Sequence, residues 1–292
     1  MEKVMLRDPD ALVTGDWLEQ HLDDENLRIF DCSTVLEFNT GETPYRVVNC
    51  RTEHEQEHIP GSGYLDLQGD FSRAKSPFKM TLAEPEKVAS AFESMGVGDS
   101  SRVVLYSRRS MAWAARFWWM LRWLGFDRAS LLDGGFERWQ GDGRPVSKKQ
   151  NAYPPGHLTL KVRPNLFVGK EQVLAAIDDP ETCIVNALGP DVHSGENSRY
   201  GRPGRVPGSV NVPKVSLVDP ETHKFKSPDE IARLFSSVGA DKASRQIAYC
   251  GGGIFATVDA YWLHQLGHEN IGVYDNSMSE WATDTSLPIE RD

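Results

Sequence analysis

One arrangement of residues runs through this chain twice, and the repeat limits what it can fold into. Arg102-Val103-Val104-Leu105-Tyr106-Ser107 returns as Arg245-Gln246-Ile247-Ala248-Tyr249-Cys250, which places Tyr249 143 positions after Tyr106. Pro85-Glu86 returns as Pro228-Asp229, and Trp119 as Trp262, at the same spacing. Asp133 pairs with Asp275, and Trp139 with Trp281, at a spacing of 142. Upstream, His58-Ile59-Pro60-Gly61 parallels Arg205-Val206-Pro207-Gly208, and Ile29-Phe30-Asp31 parallels Ile184-Val185-Asn186. The order of features is kept throughout, so the chain reads as a duplicated unit. Its 292 residues are enough for two cores.

The seam lies between Gln140 and His157, where Gly141, Gly143, Pro145, Pro154, Pro155 and Gly156 punctuate a polar stretch without apolar period. The expected organisation is a first domain over 1–145, a linker over 146–157 and a second domain over 158–292. In the first unit the strand candidates are Arg28–Cys32, Val103–Ser107 and Ala129–Leu132. Its helix candidates are Gly15–His21, Pro85–Met95 and Met111–Leu124. The second unit repeats them as strands over Cys183–Ala187, Gln246–Tyr249 and Gly272–Tyr274, and helices over Lys170–Ile177, Pro228–Val238 and Phe255–Leu266. Strands alternating with helices predict an α/β fold, a mainly parallel sheet covered by helices on both faces, in each unit. Ligands of such sheets bind beyond the carboxyl ends of the strands.

Cys250 is placed at such an end. It is followed by Gly251, Gly252 and Gly253, then Ile254 and Phe255, where a helix begins. Glycines let the backbone curl and aim successive N–H groups at one point, and the helix N-terminus favours negative charge at the same point. A thiol so placed is shifted toward its nucleophilic thiolate. The reading requires the sulfur to be within reach of small molecules. In the first copy the same positions read Ser107-Arg108-Arg109-Ser110-Met111-Ala112, without nucleophile or glycines. One working site and one scaffold unit are therefore expected.

Taken together, these motifs resemble a two-domain rhodanese-type sulfurtransferase, of the thiosulfate and 3-mercaptopyruvate sulfurtransferase family. The likeness is carried by Leu27-Arg28-Ile29-Phe30-Asp31, His58-Ile59-Pro60-Gly61, Trp118-Trp119-Met120-Leu121-Arg122 and Leu132-Asp133-Gly134-Gly135-Phe136 in the first half. In the second half it is carried by Val206-Pro207-Gly208-Ser209-Val210-Asn211, the Cys250 loop and Tyr274-Asp275-Asn276-Ser277. The resemblance implies two tandem rhodanese-like domains, the first catalytically silent, with Cys250 as the catalytic residue. Its thiolate would take a sulfur atom from a donor as a persulfide and pass it to cyanide or a thiol, which can belong to a thioredoxin-like protein. The N–H groups of Gly251, Gly252, Gly253, Ile254 and Phe255 would surround that sulfur. No metal or organic cofactor is required.

Donor choice is less legible. The loop offers neither a cation nor a hydroxyl, and Asn186 and Leu188 stand where the family commonly has an aspartate and an arginine. Thiosulfate or a related donor is the expectation, with 3-mercaptopyruvate as the alternative. Arg199 is expected to bind the donor's charge. Arg202, Arg205, Arg108 and Arg109 are further cations whose contact with substrate the sequence leaves open. A phosphatase on the same fold would need an arginine six positions after the cysteine, and Ala256 stands there. A thiol sensor or non-enzymatic binding module remains the other reading.

The net charge of −10 and pI of 5.3 argue against nucleic acid or an anionic membrane as partner. Residues 1–9 show no apolar leader, and the four cysteines are scattered without a C-x-x-C pair, which fits a reducing cytoplasm. The apolar run from Met111 to Phe126 is interrupted by Arg116 and Arg122 and reads as a buried helix, with one of its aromatics at a cleft.

Overall fold

β-Branched and aromatic runs form the strands, and the two halves assemble them in the same order. The computed structural model describes residues 4–38, 40–41 and 44–292. The first half contains β1 (Leu12–Val13), α1 (Gly15–Gln20), β2 (Leu27–Asp31), β3 (Thr34–Glu37), β4 (Arg46–Asn49) and α2 (Arg51–Gln56). It continues with β5 (Gly63–Tyr64), α3 (Leu67–Asp70), α4 (Pro85–Ser94), β6 (Arg102–Tyr106), α5 (Ala112–Trp123), β7 (Ala129–Leu132) and α6 (Gly135–Gly141). The second half contains β8 (Phe167–Val168), α7 (Lys170–Ala176), β9 (Thr182–Asn186), α8 (Pro190–Ser194), β10 (Val210–Asn211) and α9 (Pro228–Ser237). It ends with β11 (Arg245–Tyr249), α10 (Ala256–Gln265), β12 (Ile271–Tyr274) and α11 (Ser277–Trp281).

The sheets run β1-β7-β6-β2-β5 and β8-β12-β11-β9-β10, all neighbours parallel, so the duplication holds in topology as well as in sequence. β2, β6 and β9 each start and stop one residue earlier than the sequence predicts. At the far end Cys32 and Ala187 leave the strand, each turning its N–H back onto the carbonyl of Tyr106 or Tyr249. Capping marks the helices clearly: Ser227 and Glu230 close a capping box on α9, with Pro228 in its first turn. The antiparallel hairpin β3–β4 and the two-residue edge strands have no counterpart among the predicted elements.

Helices α5 and α10 are buried on almost every side, because each lies between its own sheet and the other half. Trp118 meets Tyr261 edge to face at 4.8 Å across this contact. Trp113 is buried, like its neighbours, and the core reading of this helix stands. Around it the halves exchange equivalent bonds. Leu82 donates its N–H to the Asp275 carboxylate at 2.8 Å, and Phe225, at the matching place, donates to Asp133 at 2.9 Å. The first segments are exchanged as well. Arg7 bonds Gln265 and the carbonyls of Gly267 and His268 in the second half, while Arg163 bonds Trp123, Arg122 and Asp127 in the first.

One pair breaks the likeness. Arg116 on α5 is wholly buried and ion-pairs with Asp275; 143 positions later α10 carries Asp259. Asp259 is also wholly buried, and neither of its oxygens has a partner among the described residues. Burial pushes its pKa well up, which keeps it a neutral acid.

The seam has no helix or strand from 148 to 163, as expected, yet it is fixed to the first half. The Tyr153 hydroxyl accepts the Ile29 N–H at 3.1 Å and donates to the Gly61 carbonyl at 2.6 Å. No helix is long and apolar enough to cross a membrane.

Candidate active site

β11 delivers Cys250 to the carboxyl edge of the second sheet, and the turn before α11 fixes it there. The Cys250 N–H donates to Ser277 Oγ at 3.0 Å, and its carbonyl accepts the Met278 N–H at 3.0 Å. Ser277 has a left-handed backbone (φ 50°) where the first half uses Gly135 (φ 58°). A serine rarely accepts that conformation, and here it gains the hydroxyl that holds the cysteine. The Gly251 carbonyl takes two bonds from Ser279, from N–H at 2.8 Å and from Oγ at 2.6 Å. The Gly253 carbonyl takes one from the Arg116 guanidinium at 3.2 Å. The carbonyls of 250, 251 and 253 are thus turned outward and occupied. The N–H groups of Gly251, Gly252, Gly253, Ile254 and Phe255 donate to no protein acceptor among the described residues.

The three glycines are needed for packing. Gly253 has φ +74°, and a side chain there would strike the Asp275 carbonyl. A methyl at Gly251 would overlap the Tyr200 hydroxyl, and one at Gly252 the Tyr45 hydroxyl. Tyr200 belongs to the second half and Tyr45 to the first; their rings meet edge to face at 6.3 Å. Burial pushes the Tyr45 phenol up to about 12 and Tyr200 higher still, with the nearby Cys250 sulfur adding to both. Both hydroxyls therefore stay protonated near neutral pH. They stand where the loop itself has no polar side chain.

Lys214 approaches from the other side, on the turn Lys214–Leu217 that follows β10. Its Nζ donates to Ser110 Oγ of the first half at 2.9 Å and lies 4.7 Å from the centre of the Phe255 ring. Burial pushes its pKa down, and the Cys250 sulfur pushes it back up. Between the halves, beside Lys214, lies a cavity of about 250 Å³ lined by Ser110, Met111 and Ala112 on one side and Val215 and Val218 on the other. Cys250 itself is only 1% exposed. The sequence reading needs an open sulfur; the docking of the two halves instead sets the Tyr45 hydroxyl against Gly252 of the surrounding loop.

The predicted cations fare differently. Arg199 is exposed, with its guanidinium 4.6 Å from the Phe38 ring centre, and its charge partly offsets the rise of the neighbouring Tyr200 phenol. Arg202 spends its guanidinium on the carbonyls of Trp281, Ala282, Asp284 and Leu287. Arg205 is tied to Glu290, Asp292 and the His193 carbonyl. Arg108 covers Phe136 and pairs with Asp31, and Arg109 pairs with Glu53. Asn186 receives the Leu188 N–H at 3.0 Å and bonds His193 at 3.0 Å, a structural role. In the first half Ser107 donates its hydroxyl to the Ser110 carbonyl at 2.6 Å. Tyr45, Tyr200, Lys214, Ser277 and Arg116 are site residues that sequence reasoning missed. Ser277 alone left a signal, a serine at the position of a repeated glycine.

Comparison with known proteins gives a consistent picture. The profile of the rhodanese-like domain matches residues 14–142 and again 171–284. The chain is 31% identical over 281 residues to a 3-mercaptopyruvate sulfurtransferase of Escherichia coli K12, covering 95% of this chain and 97% of that protein. It is 27% identical over 299 residues to the sulfur carrier protein TtuD of Thermus thermophilus, covering 97% of each. A putative thiosulfate sulfurtransferase of Mycobacterium tuberculosis is 28% identical over 291 residues, covering 96% of this chain and 98% of that one. Among solved structures, the 3-mercaptopyruvate sulfurtransferase SseA of Escherichia coli superposes with a TM-score of 0.80 at 29% identity, covering 91% of this chain and 98% of its own.

Proposed function

The chain belongs to the rhodanese-like domain family, and on that premise we propose that it is a sulfurtransferase working through a persulfide on Cys250. The half spanning 158–292 carries the reaction, and 1–145 serves as a scaffold whose equivalent position is Ser107. Donor specificity is read as 3-mercaptopyruvate first, because relatives of that name align over nearly the whole chain, and because two protonated tyrosines supply the hydroxyls that the loop lacks. Thiosulfate is the second reading, favoured by the absence of an arginine at Leu188.

The observation that carries the proposal is the set of five acceptor-free N–H groups in the loop that begins at Cys250. The Cys250 thiolate attacks the transferable sulfur and forms an S–S bond. With mercaptopyruvate the C–S bond breaks and the electron pair leaves with pyruvate enolate, which takes a proton to become pyruvate. With thiosulfate the S–S bond breaks and sulfite departs with the pair. The persulfide's extra charge is stabilised by the loop amides. A thiol or cyanide then attacks the outer sulfur and frees the Cys250 thiolate, giving ping-pong kinetics. Arg199 and the amides of Gly251 to Phe255 are the proposed donor contacts.

Mass spectrometry of the whole protein after incubation with each donor tests the proposal. A gain of one sulfur is expected, and it should vanish in Cys250→Ser. A gain that survives the substitution would remove Cys250 from the reaction, and no gain with any donor would favour a thiol sensor. Turnover with the two donors on one preparation decides between them.

A further inference from the structure

Lys214 is an ammonium partly withdrawn from water without a carboxylate in exchange. Its backbone N–H is fixed by the Ala187 carbonyl at 3.0 Å, at the carboxyl ends of β9 and β10. Its Nζ rests on the Ser110 hydroxyl and the face of Phe255, and among the described residues no carboxylate lies within ion-pair distance. A half-buried cation with only neutral partners favours an anion placed beside it.

The same lysine lines the interdomain cavity of about 250 Å³, whose walls include Met111, Val215 and Val218. Two carboxylates also line it, and both are already occupied. Glu137 accepts the Arg109 N–H at 2.8 Å, and Asp219 accepts the Glu221 and Thr222 N–H groups at 3.0 and 2.8 Å. The other cations near the strand ends, Arg116, Arg202 and Arg205, are engaged by carbonyls or carboxylates. A cavity of that size, with largely apolar walls, an ammonium without a carboxylate partner and a second cation, Arg109, already paired with Glu53, suits a small organic anion.

We propose that Lys214, whose ammonium lies against Phe255 of the Cys250 loop, recognises the donor's anionic group alongside Arg199, at the end of the interdomain cavity that Lys214 lines. The proposal rests on the sulfurtransferase reading and adds the cation that the glycine loop does not provide. Lysine suits this role as a compact charge on a flexible stem that can exchange Ser110 for an incoming carboxylate or sulfonate oxygen.

Two alkylating reagents test it, anionic iodoacetate and neutral iodoacetamide, which share a leaving group. Their rates of reaction at Cys250 are followed by peptide mass mapping in the wild type, in Lys214→Met (or Lys214→Gln should folding suffer) and in Lys214→Arg. The iodoacetate-to-iodoacetamide rate ratio is expected to fall about tenfold in Lys214→Met, the scale of a lost hydrogen bond to a charged group. It should recover in Lys214→Arg. KM for 3-mercaptopyruvate and thiosulfate should rise by a similar factor, with a smaller change in kcat. Equal slowing by both reagents would mean that Lys214 acts on the sulfur rather than on the donor, and an unchanged ratio would take it out of anion recognition. Either result overturns the proposal. The alkylation ratio needs no sulfur transfer, so failure of the sulfurtransferase reading would show separately, as absence of the persulfide with every donor.

Discussion

Replacing Arg116 by methionine would separate the two halves' energetics from the chemistry. The side chain sits in the first half but bonds the Gly253 carbonyl at 3.2 Å, the Met80 carbonyl at 3.3 Å and the Asp275 carboxylate. Its exposure is 0% and that of the Asp275 side chain 13%, so the pair is in a poorly screened environment. Removing one partner of a buried pair costs about 3–5 kcal/mol, because the other charge is left behind. Asp275 keeps the Leu82 N–H and some contact with water, which places the loss near the lower end, about 3 kcal/mol. Methionine preserves much of the apolar stem, so little of this is lost packing. The Gly253 carbonyl also loses its donor, and turnover should fall along with stability. Urea unfolding of Arg116→Met, Asp275→Asn and the double variant measures the pair directly. The double variant should recover part of the loss, since it buries no unpaired charge. Additive effects in the cycle, or a stability change below about 1 kcal/mol, would refute the account of this pair as a buried clamp.

Two further outcomes follow from the same geometry. Gly252→Ala pushes a methyl group into the Tyr45 hydroxyl, with a cost of about 1–3 kcal/mol for overpacking and a corresponding loss of turnover. Adding Tyr45→Phe should restore much of the stability but not the turnover, and no recovery of stability would mean that the clash lies elsewhere. His193 is held down to about 4 by burial first and by Arg205 second, against about 6.5 in an unfolded chain. Below about pH 6.5 the unfolded chain takes up a proton that the folded one refuses, so the histidine's contribution is complete above that pH and is lost as pH falls toward 4. Urea midpoints across this window should depend less on pH in His193→Asn, and an unaltered dependence would contradict the assignment.

The repeat made most of the architecture readable. Tyr106 and Tyr249 mark equivalent central strands, and the amphipathic runs after Pro85 and Pro228 became α4 and α9. The two-residue edge strands left no trace, because a pairing that short has no period to detect. Cys250 and its glycines were visible as a local motif. Tyr45, Tyr200 and Lys214 were not, because they meet the loop only after the halves dock, and nothing in their local sequence announces it. Whether Arg202 and Arg205 bind the donor stayed open in the sequence, because it shows charge but not the C-terminal carbonyls and carboxylates that fold back to take it. Arg116 looked only like an interruption in an apolar run, since its partner Asp275 lies 159 positions away.

The unlike residues at positions 116 and 259 also say what joining two copies into one polypeptide makes available. In a homodimer of a single ancestral unit every residue appears on both sides of the axis, so an arginine set to grip one loop would have a twin at the other. Tandem fusion lifts that constraint: one copy can keep the guanidinium while the other turns the same place into a neutral acid in its core. Specialisation of one loop for chemistry and the other for support is then open to point mutation, with no need for a new fold.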